Sequence, residues 1–250
     1  MGKAKYIIVF VWMCLACNNE NAPDCFQSVG KIILQERSVT PFSRILVNEG
    51  LHLIIKQGDE FSVFIESGEN LINDVEVSVR EDRLTLTNNN TCNFFRSYEN
   101  TTAYVTVPDL KEIRSSTQFD VRSEGVLAFD DFSIISEDFL DTSLQSVGNF
   151  YLRLDCENFR VVFNNLSNAF VSGEVRNADI EFQSGNGRFE AEDLRIENAE
   201  VFHRGTNDII LHPVNELSGD IFSTGNIISV SRPSAVSVTE HYRGRLIFRD

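Results

Sequence analysis

Apolar and polar residues alternate with period two along most of the chain. Phe61, Val63 and Ile65 share one face, Val75, Val77 and Val79 another, and Leu84 with Leu86 and Val105 with Val107 repeat the pattern. Turn-forming runs bound these segments: Gln57-Gly58-Asp59, Ser67-Gly68-Glu69-Asn70, Arg80-Glu81-Asp82-Arg83 and Pro108-Asp109. Successive side chains on a strand point to opposite sides, so this alternation predicts strands with one buried face. No long window carries a helical period with caps at both ends. An all-β chain is expected.

From about residue 111 the pattern becomes periodic. Short turns at Gly148-Asn149, Ser167-Asn168, Asn186-Gly187, Thr206-Asn207 and Gly225-Asn226 each precede a new strand, with starts at 150, 169, 188, 208 and 227. A second apolar position (Phe163, Phe182, Val201, Ile221) follows each of the first four starts by 13 residues. Two features in one register predict stacked coils, here a right-handed parallel β-helix, or β-solenoid, of about 19 residues per turn. A hexapeptide helix is excluded, because Phe150, Cys156, Val162 and Asn168 do not keep apolar character. The expected internal stacks are Phe150, Phe170, Phe189 and Ile209, and Phe163, Phe182, Phe202 and Phe222. The turn residues Asn149, Asn168, Asn186, Asn207 and Asn226 are expected to form a structural ladder of side-chain amides. Residues 29–110 lack the 19-residue register and are expected to form larger first coils or a covering sheet. The arginine-containing segment 236–250 is expected to cap the other end.

The amino terminus reads as an address. Lys3 and Lys5 precede an uncharged apolar run from Tyr6 to Ala16, too short for a bilayer span of ~20 residues but suited to a signal peptide. It ends in Cys14-Leu15-Ala16-Cys17, which resembles a bacterial lipobox, although Cys14 stands where that pattern usually has Leu. The expectation is a signal peptide over 1–16, a lipid-anchored linker over 17–28 beginning at lipidated Cys17, and a single β-solenoid domain over 29–250. The plainer alternative is an ordinary secretory signal with Cys17 unmodified. An outer-membrane lipoprotein, periplasmic or surface-facing, follows from the first reading.

The formal charge of -15, from 37 acids against 22 bases, argues against nucleic acid, whose phosphates are bound by neutralisation. It also repels anionic headgroups, so the lipid has to do the holding. Cys25 and Cys92 lie in polar segments of an exported chain and are expected to form a disulfide, which would contribute about 2–4 kcal/mol. Cys156 then remains a free, inward-facing thiol.

At this point the chain resembles a known family, the putative auto-transporter adhesin, head GIN domain. The resemblance runs from about residue 38 to the carboxyl terminus. It rests on Phe42-Ser43-Arg44-Ile45-Leu46-Val47, Leu53-Ile54-Ile55-Lys56-Gln57-Gly58-Asp59, Glu69-Asn70-Leu71 and Val107-Pro108-Asp109-Leu110-Lys111-Glu112-Ile113. The family's Ser-Gly-x-Gly-Asp/Asn corner is approached at Gln183-Ser184-Gly185-Asn186-Gly187 and Ser223-Thr224-Gly225-Asn226-Ile227, whereas Ser136-Glu137-Asp138 and Phe163-Asn164-Asn165 depart from it. The resemblance implies a β-helix-like body on a cell-envelope anchor.

Catalytic signatures are sparse. His52, His203, His212 and His241 lack metal-ligand spacing, no GxSxG, HExxH or Walker sequence occurs, and Gly185-Asn186-Gly187 opens no helix. No metal or cofactor is expected. The acids Asp130, Asp131, Glu137, Asp138, Asp141, Glu190, Glu192 and Asp193 leave one enzymatic alternative, a carbohydrate-active lyase or hydrolase with clustered carboxylates. The preferred expectation is a non-catalytic envelope module that binds an unidentified envelope, glycan or protein ligand and meets the membrane through its lipid.

Overall fold

The computed structural model describes residues 27–90, 92, 101–138 and 146–249. Among these residues seventeen strands form one continuous sheet, accompanied by a short 3-10 turn at Ile72–Asp74. The first half contains β1 (Ile32–Arg37), β2 (Arg44–Val47), β3 (His52–Gln57), β4 (Ser62–Gly68), β5 (Val75–Arg80), β6 (Arg83–Asn88), β7 (Thr102–Val107), β8 (Glu112–Ser115) and β9 (Val121–Ser123). The second half contains β10 (Asp131–Ser136), the long strands β11 (Asn149–Phe163), β12 (Asn168–Phe182), β13 (Arg188–His203) and β14 (Ile209–Ile221), then β15 (Ile227–Ser229), β16 (Ala235–Glu240) and β17 (Leu246–Phe248).

The all-β expectation holds, but the right-handed parallel β-helix does not. Pairing is mixed. Strand β4 lies antiparallel between β1 and β7, and β5 pairs antiparallel with β6. The β5–β6 connection is a two-residue hairpin whose Glu81 and Asp82 have φ of 49° and 64°, as a turn matched to strand twist requires. Strand β6 continues in parallel onto β2, β7 onto β3, and β2 and β3 onto β8 and β9. The result is a nearly closed, barrel-like sheet of mixed pairing around one core. Antiparallel partners need no constant sequence offset, which is why residues 29–110 show no 19-residue register.

Parallel pairing governs the second half. Strands β11 and β12 pair from Asn149–Asn168 to Phe163–Phe182 at a constant offset of 19 residues. The offset then rises to 20 at Ala169–Phe189 and 21 at Phe182–His203. Between β13 and β14 it falls from 20 at Phe189–Ile209 to 18 at His203–Ile221. Bulges absorb these steps. At one of them Gly173 has φ +113°, and a Cβ there would sit 2.0 Å from the Leu154 carbonyl oxygen.

These offsets correct the expected stacks. Phe150, Ala169, Phe189 and Ile209 form the inward row, while Phe170 stands outside against Tyr151, their rings 4.9 Å apart. The second inward row is Phe163, Phe182, His203 and Ile221, and Phe202 and Phe222 meet outside at 5.3 Å. A one-residue slip moves a side chain to the other face, so a mean period cannot say which of two neighbours goes in.

The inward rows share one core that reaches from Phe42 to Ile227, with Phe150, Phe163, Phe182 and Phe189 fully buried. Burial of each such ring contributes about 1.5–3 kcal/mol. At the carboxyl end β16 continues β14 and β17 continues β15, with Arg245 beside Glu240 and Arg249 beside Glu192.

Replacing Phe182 by Ala empties an inward position and should cost about 3–5 kcal/mol in denaturant unfolding. Replacing Phe170 by Ala should cost much less. Equal losses for the two variants would contradict the observed register.

Candidate functional site

Midway along β11, β12 and β13 the alternation breaks and two neighbouring residues both point outward. The pairs are Glu157-Asn158, Arg176-Asn177 and Glu197-Asn198, each flanked by buried residues. This is a corner. With the pleat interrupted, polar side chains from adjacent strands lie one above another and bond along the stack.

The first corner row is ionic: Arg176 reaches Glu157 at 2.6 Å and Glu197 at 3.8 Å. The second is an amide ladder. Asn198 Nδ2 donates to Asn177 Oδ1 at 3.0 Å, Asn177 Nδ2 to Asn158 Oδ1 at 3.0 Å, and Asn158 Nδ2 to the Asp131 carboxylate at 2.7 Å. Glu216 of β14 pairs with Asn198 and extends the row. This ladder went unrecognised in the sequence, although Asn158 and Asn177 keep the 19-residue offset.

Beside it runs a groove of about 570 Å³ across β10 to β14. The amide row and Glu216 form one side, and Arg160, Asp179, Glu200 and Ser218 the other. Its floor is the strand backbone at Phe132, Phe159, Ala178 and Ala199, whose side chains point inward and are buried. Arg160 is held by Glu181 and, at 3.1 Å, by Asp179, and these carboxylates raise its pKa. Burial, then Glu181, raises the Asp179 pKa, against the opposing pull of Arg160. Beyond the corner lies a smaller hollow of about 330 Å³ lined by Asp130, Asp155, Glu157, Glu174, Arg176 and Arg195, among others.

The expected acids do not converge. Asp131 joins the amide ladder, Asp130 faces the smaller hollow, and Glu137 pairs with Arg114. Asp138 accepts from Asn164, Glu190 pairs with Arg188, and Glu192 lies near Arg249. Asp193 is exposed on the bulge of β13, and Asp141 lies outside the described residues. Among the described residues no group of three or more His, Cys, Asp or Glu side chains is placed to hold a metal.

The turn asparagines form a broken row. Asn168 Nδ2 donates to Asn149 Oδ1 at 2.8 Å, but Arg188 occupies the next rung and its backbone N–H donates to Asn168. Asn186 accepts from Thr206, Asn207 donates to the Asn186 carbonyl, and Asn226 donates to Asp208. Cys17 and Cys25 lie outside the described residues, and with Cys25 the expected bridge to Cys92. Cys156 is free and buried; burial raises its pKa, and its thiol faces the Leu127 carbonyl at 3.7 Å.

The histidines have separate settings. His52 stacks on Phe119, His241 contacts Asp220 at 2.6 Å and stacks on Phe222, and His212 lies beside Arg195 in the sheet. His203 is fully buried below Phe182, and neither ring nitrogen meets a partner of good hydrogen-bonding geometry. Gly225 makes room for it, since a Cβ there would lie 2.4 Å from Nε2. Burial lowers the His203 pKa from 6.5 to about 4.

Two outcomes follow from these buried groups. The unfolded chain binds a proton at His203 more readily than the folded one. Its contribution is therefore complete above pH 6.5 and falls as pH drops from 6.5 towards 4, by about 3 kcal/mol over the window. His203→Leu should remove that part of the slope in unfolding curves measured across the range; an unchanged slope would contradict the assignment. Cys156 should react with a thiol reagent in the native protein far more slowly than in denaturant, and equal rates would place it at the surface.

Solved structures share this fold. A putative adhesin from Bacteroides fragilis superposes with a TM-score of 0.78 at 21% identity, covering 88% of this chain and 97% of the other. A putative adhesin from Parabacteroides merdae gives 0.59 at 17% identity over 88% and 97% of the two chains. A putative lipid binding protein from Parabacteroides distasonis gives 0.60 at 16% identity over 87% and 97%. No curated protein matches the chain. At these identities the structures establish the fold alone. The family model described as putative auto-transporter adhesin, head GIN domain, matches residues 41–233, and the chain therefore belongs to that family.

Proposed function

We propose that the chain is a non-catalytic cell-envelope module of adhesion type, anchored by a lipidated Cys17 and directing the outer face of its sheet towards a ligand. The observation that carries this reading is the corner of β10 to β14. There outward polar side chains are tied into rows across successive strands, forming a fixed surface. Family membership and the fold of proteins named as adhesins support the same direction. The lipobox-like Cys14-Leu15-Ala16-Cys17 supports the anchor, and a Cys25–Cys92 bridge would tie the linker to the body. Placement at the outer membrane, periplasmic or surface-facing, is part of the proposal.

A carbohydrate-active enzyme is the weaker reading, because the acids that motivated it are engaged separately along the sheet. Incubation of the protein with polysaccharides, followed by end-group analysis, separates the two: the module leaves chain length unchanged, whereas released ends would establish an enzyme.

Cells expressing the protein should incorporate labelled palmitate into it, and Cys17→Ala should abolish the label and move the protein to the soluble fraction. Expressing cells should also adhere to glycan- or matrix-coated surfaces better than cells lacking the gene. Equal adherence on every surface would count against the binding reading, and a persistent label in the Cys17 variant would refute the anchor.

A further inference from the structure

The groove beside the amide ladder has the chemistry of a ligand site. Its volume of about 570 Å³ lies within the range of small-molecule sites, roughly 300–1,000 Å³. The row from Asp131 through Asn158, Asn177 and Asn198 to Glu216 crosses four strand spacings, about 19 Å. A ligand following the row is therefore elongated and meets the same type of polar group at each step.

The amides indicate what those steps recognise. Asn158 and Asn177 each spend one N–H and one acceptor site on the ladder, which fixes the orientation of the side chain. A carboxamide has two N–H donors and two acceptor lone pairs, so every rung retains one of each. Hydroxyl groups match that combination because they donate and accept at once. Across the groove Glu200 and Ser218 add an acceptor and a second hydroxyl partner.

Charge narrows the class. Asp131, Asp179, Glu200 and Glu216 line the groove against Lys111 and Arg160, and Arg160 is already engaged by Asp179 and Glu181. A negative field of this kind disfavours anionic polymers. Between its two polar walls the floor is strand backbone, because the side chains of Phe132, Phe159, Ala178 and Ala199 point inward and are buried in the core. The geometry points to a binding site for a neutral, hydroxyl-rich polysaccharide, laid across the strands with Asn158, Asn177 and Asn198 as hydrogen-bonding rungs. This rests on the binding-module reading above and names its ligand class.

Affinity electrophoresis of the full chain through gels containing dextran, mannan or laminarin, or anionic alginate, tests the site. Neutral polymers should retard the native protein and alginate should not. Ser218→Trp, which fills the groove from its outer side, should abolish retardation. Asn177→Ala combined with Asn198→Ala should weaken it roughly tenfold. Tyr151→Ala, on another part of the outer face, should leave it unchanged. Glu200→Lys with Glu216→Lys should shift retention towards alginate. Thermal unfolding verifies that each variant is folded, and if the double asparagine variant is not, Ser218→Trp decides. Undiminished retention in folded Ser218→Trp overturns the groove but leaves the binding module standing. Retention of alginate by the native chain overturns the neutral class. If no polysaccharide retards the native chain the site is refuted, and adherence of expressing cells then reports separately on the module.

Discussion

Hydrogen bonding between neighbouring long strands determines the face of each side chain from β11 to β14. Once Asn149 lies against Asn168 and Phe163 against Phe182, parity on each side of the corner assigns residues to the core or to the surface. The bulges at Gly173 and near Glu192 and Asp193 let sequence offsets vary without inverting the sheet. Register thus connects core energetics with surface chemistry: the bonds that bury Phe150, Phe163, Phe182 and Phe189 also align Asn158, Asn177 and Asn198.

The corner is where that alignment acquires chemical content. Along a flat strand an outward side chain has neighbours above, below and along the chain. At the corner two consecutive residues turn outward, and their side chains bond along the stack: Glu157, Arg176 and Glu197 in one row, the asparagines in the next. The exposed ion pairs add little stability individually. Their value is preorganisation, because a ligand meeting side chains already held in place loses less conformational freedom on binding.

The interior includes polar groups at a cost. His203 continues the row of Phe163 and Phe182 at a position where an apolar ring would be satisfied by packing alone. It persists as a neutral imidazole because burial disfavours the charged form more than Asp208 and the nearby backbone favour it. The first half of the molecule solves a different problem. Its antiparallel β1–β4–β7 and β5–β6 pairs lead into the parallel body through β3 and β2, joining hairpin strands and long parallel strands into one sheet.

Alternation, turn residues and a recurring offset determined much of this protein by themselves. The all-β class, the hairpin turn at Glu81-Asp82, the inward positions of Phe150, Phe163, Phe182 and Phe189, the buried Cys156 and the family resemblance are local or periodic properties. The groove, the amide ladder, the antiparallel first half and the outward turn of Phe170, Phe202 and Phe222 were decided by tertiary structure. The reason is parity. At Phe170 the constant offset of 19 places the smaller Ala169 inside; at Phe202 and Phe222 a mean step of 19 carries an error of one or two at the bulges, and one residue suffices to exchange inside for outside. Strand direction is likewise absent from the alternation, since parallel and antiparallel partners present the same apolar and polar faces.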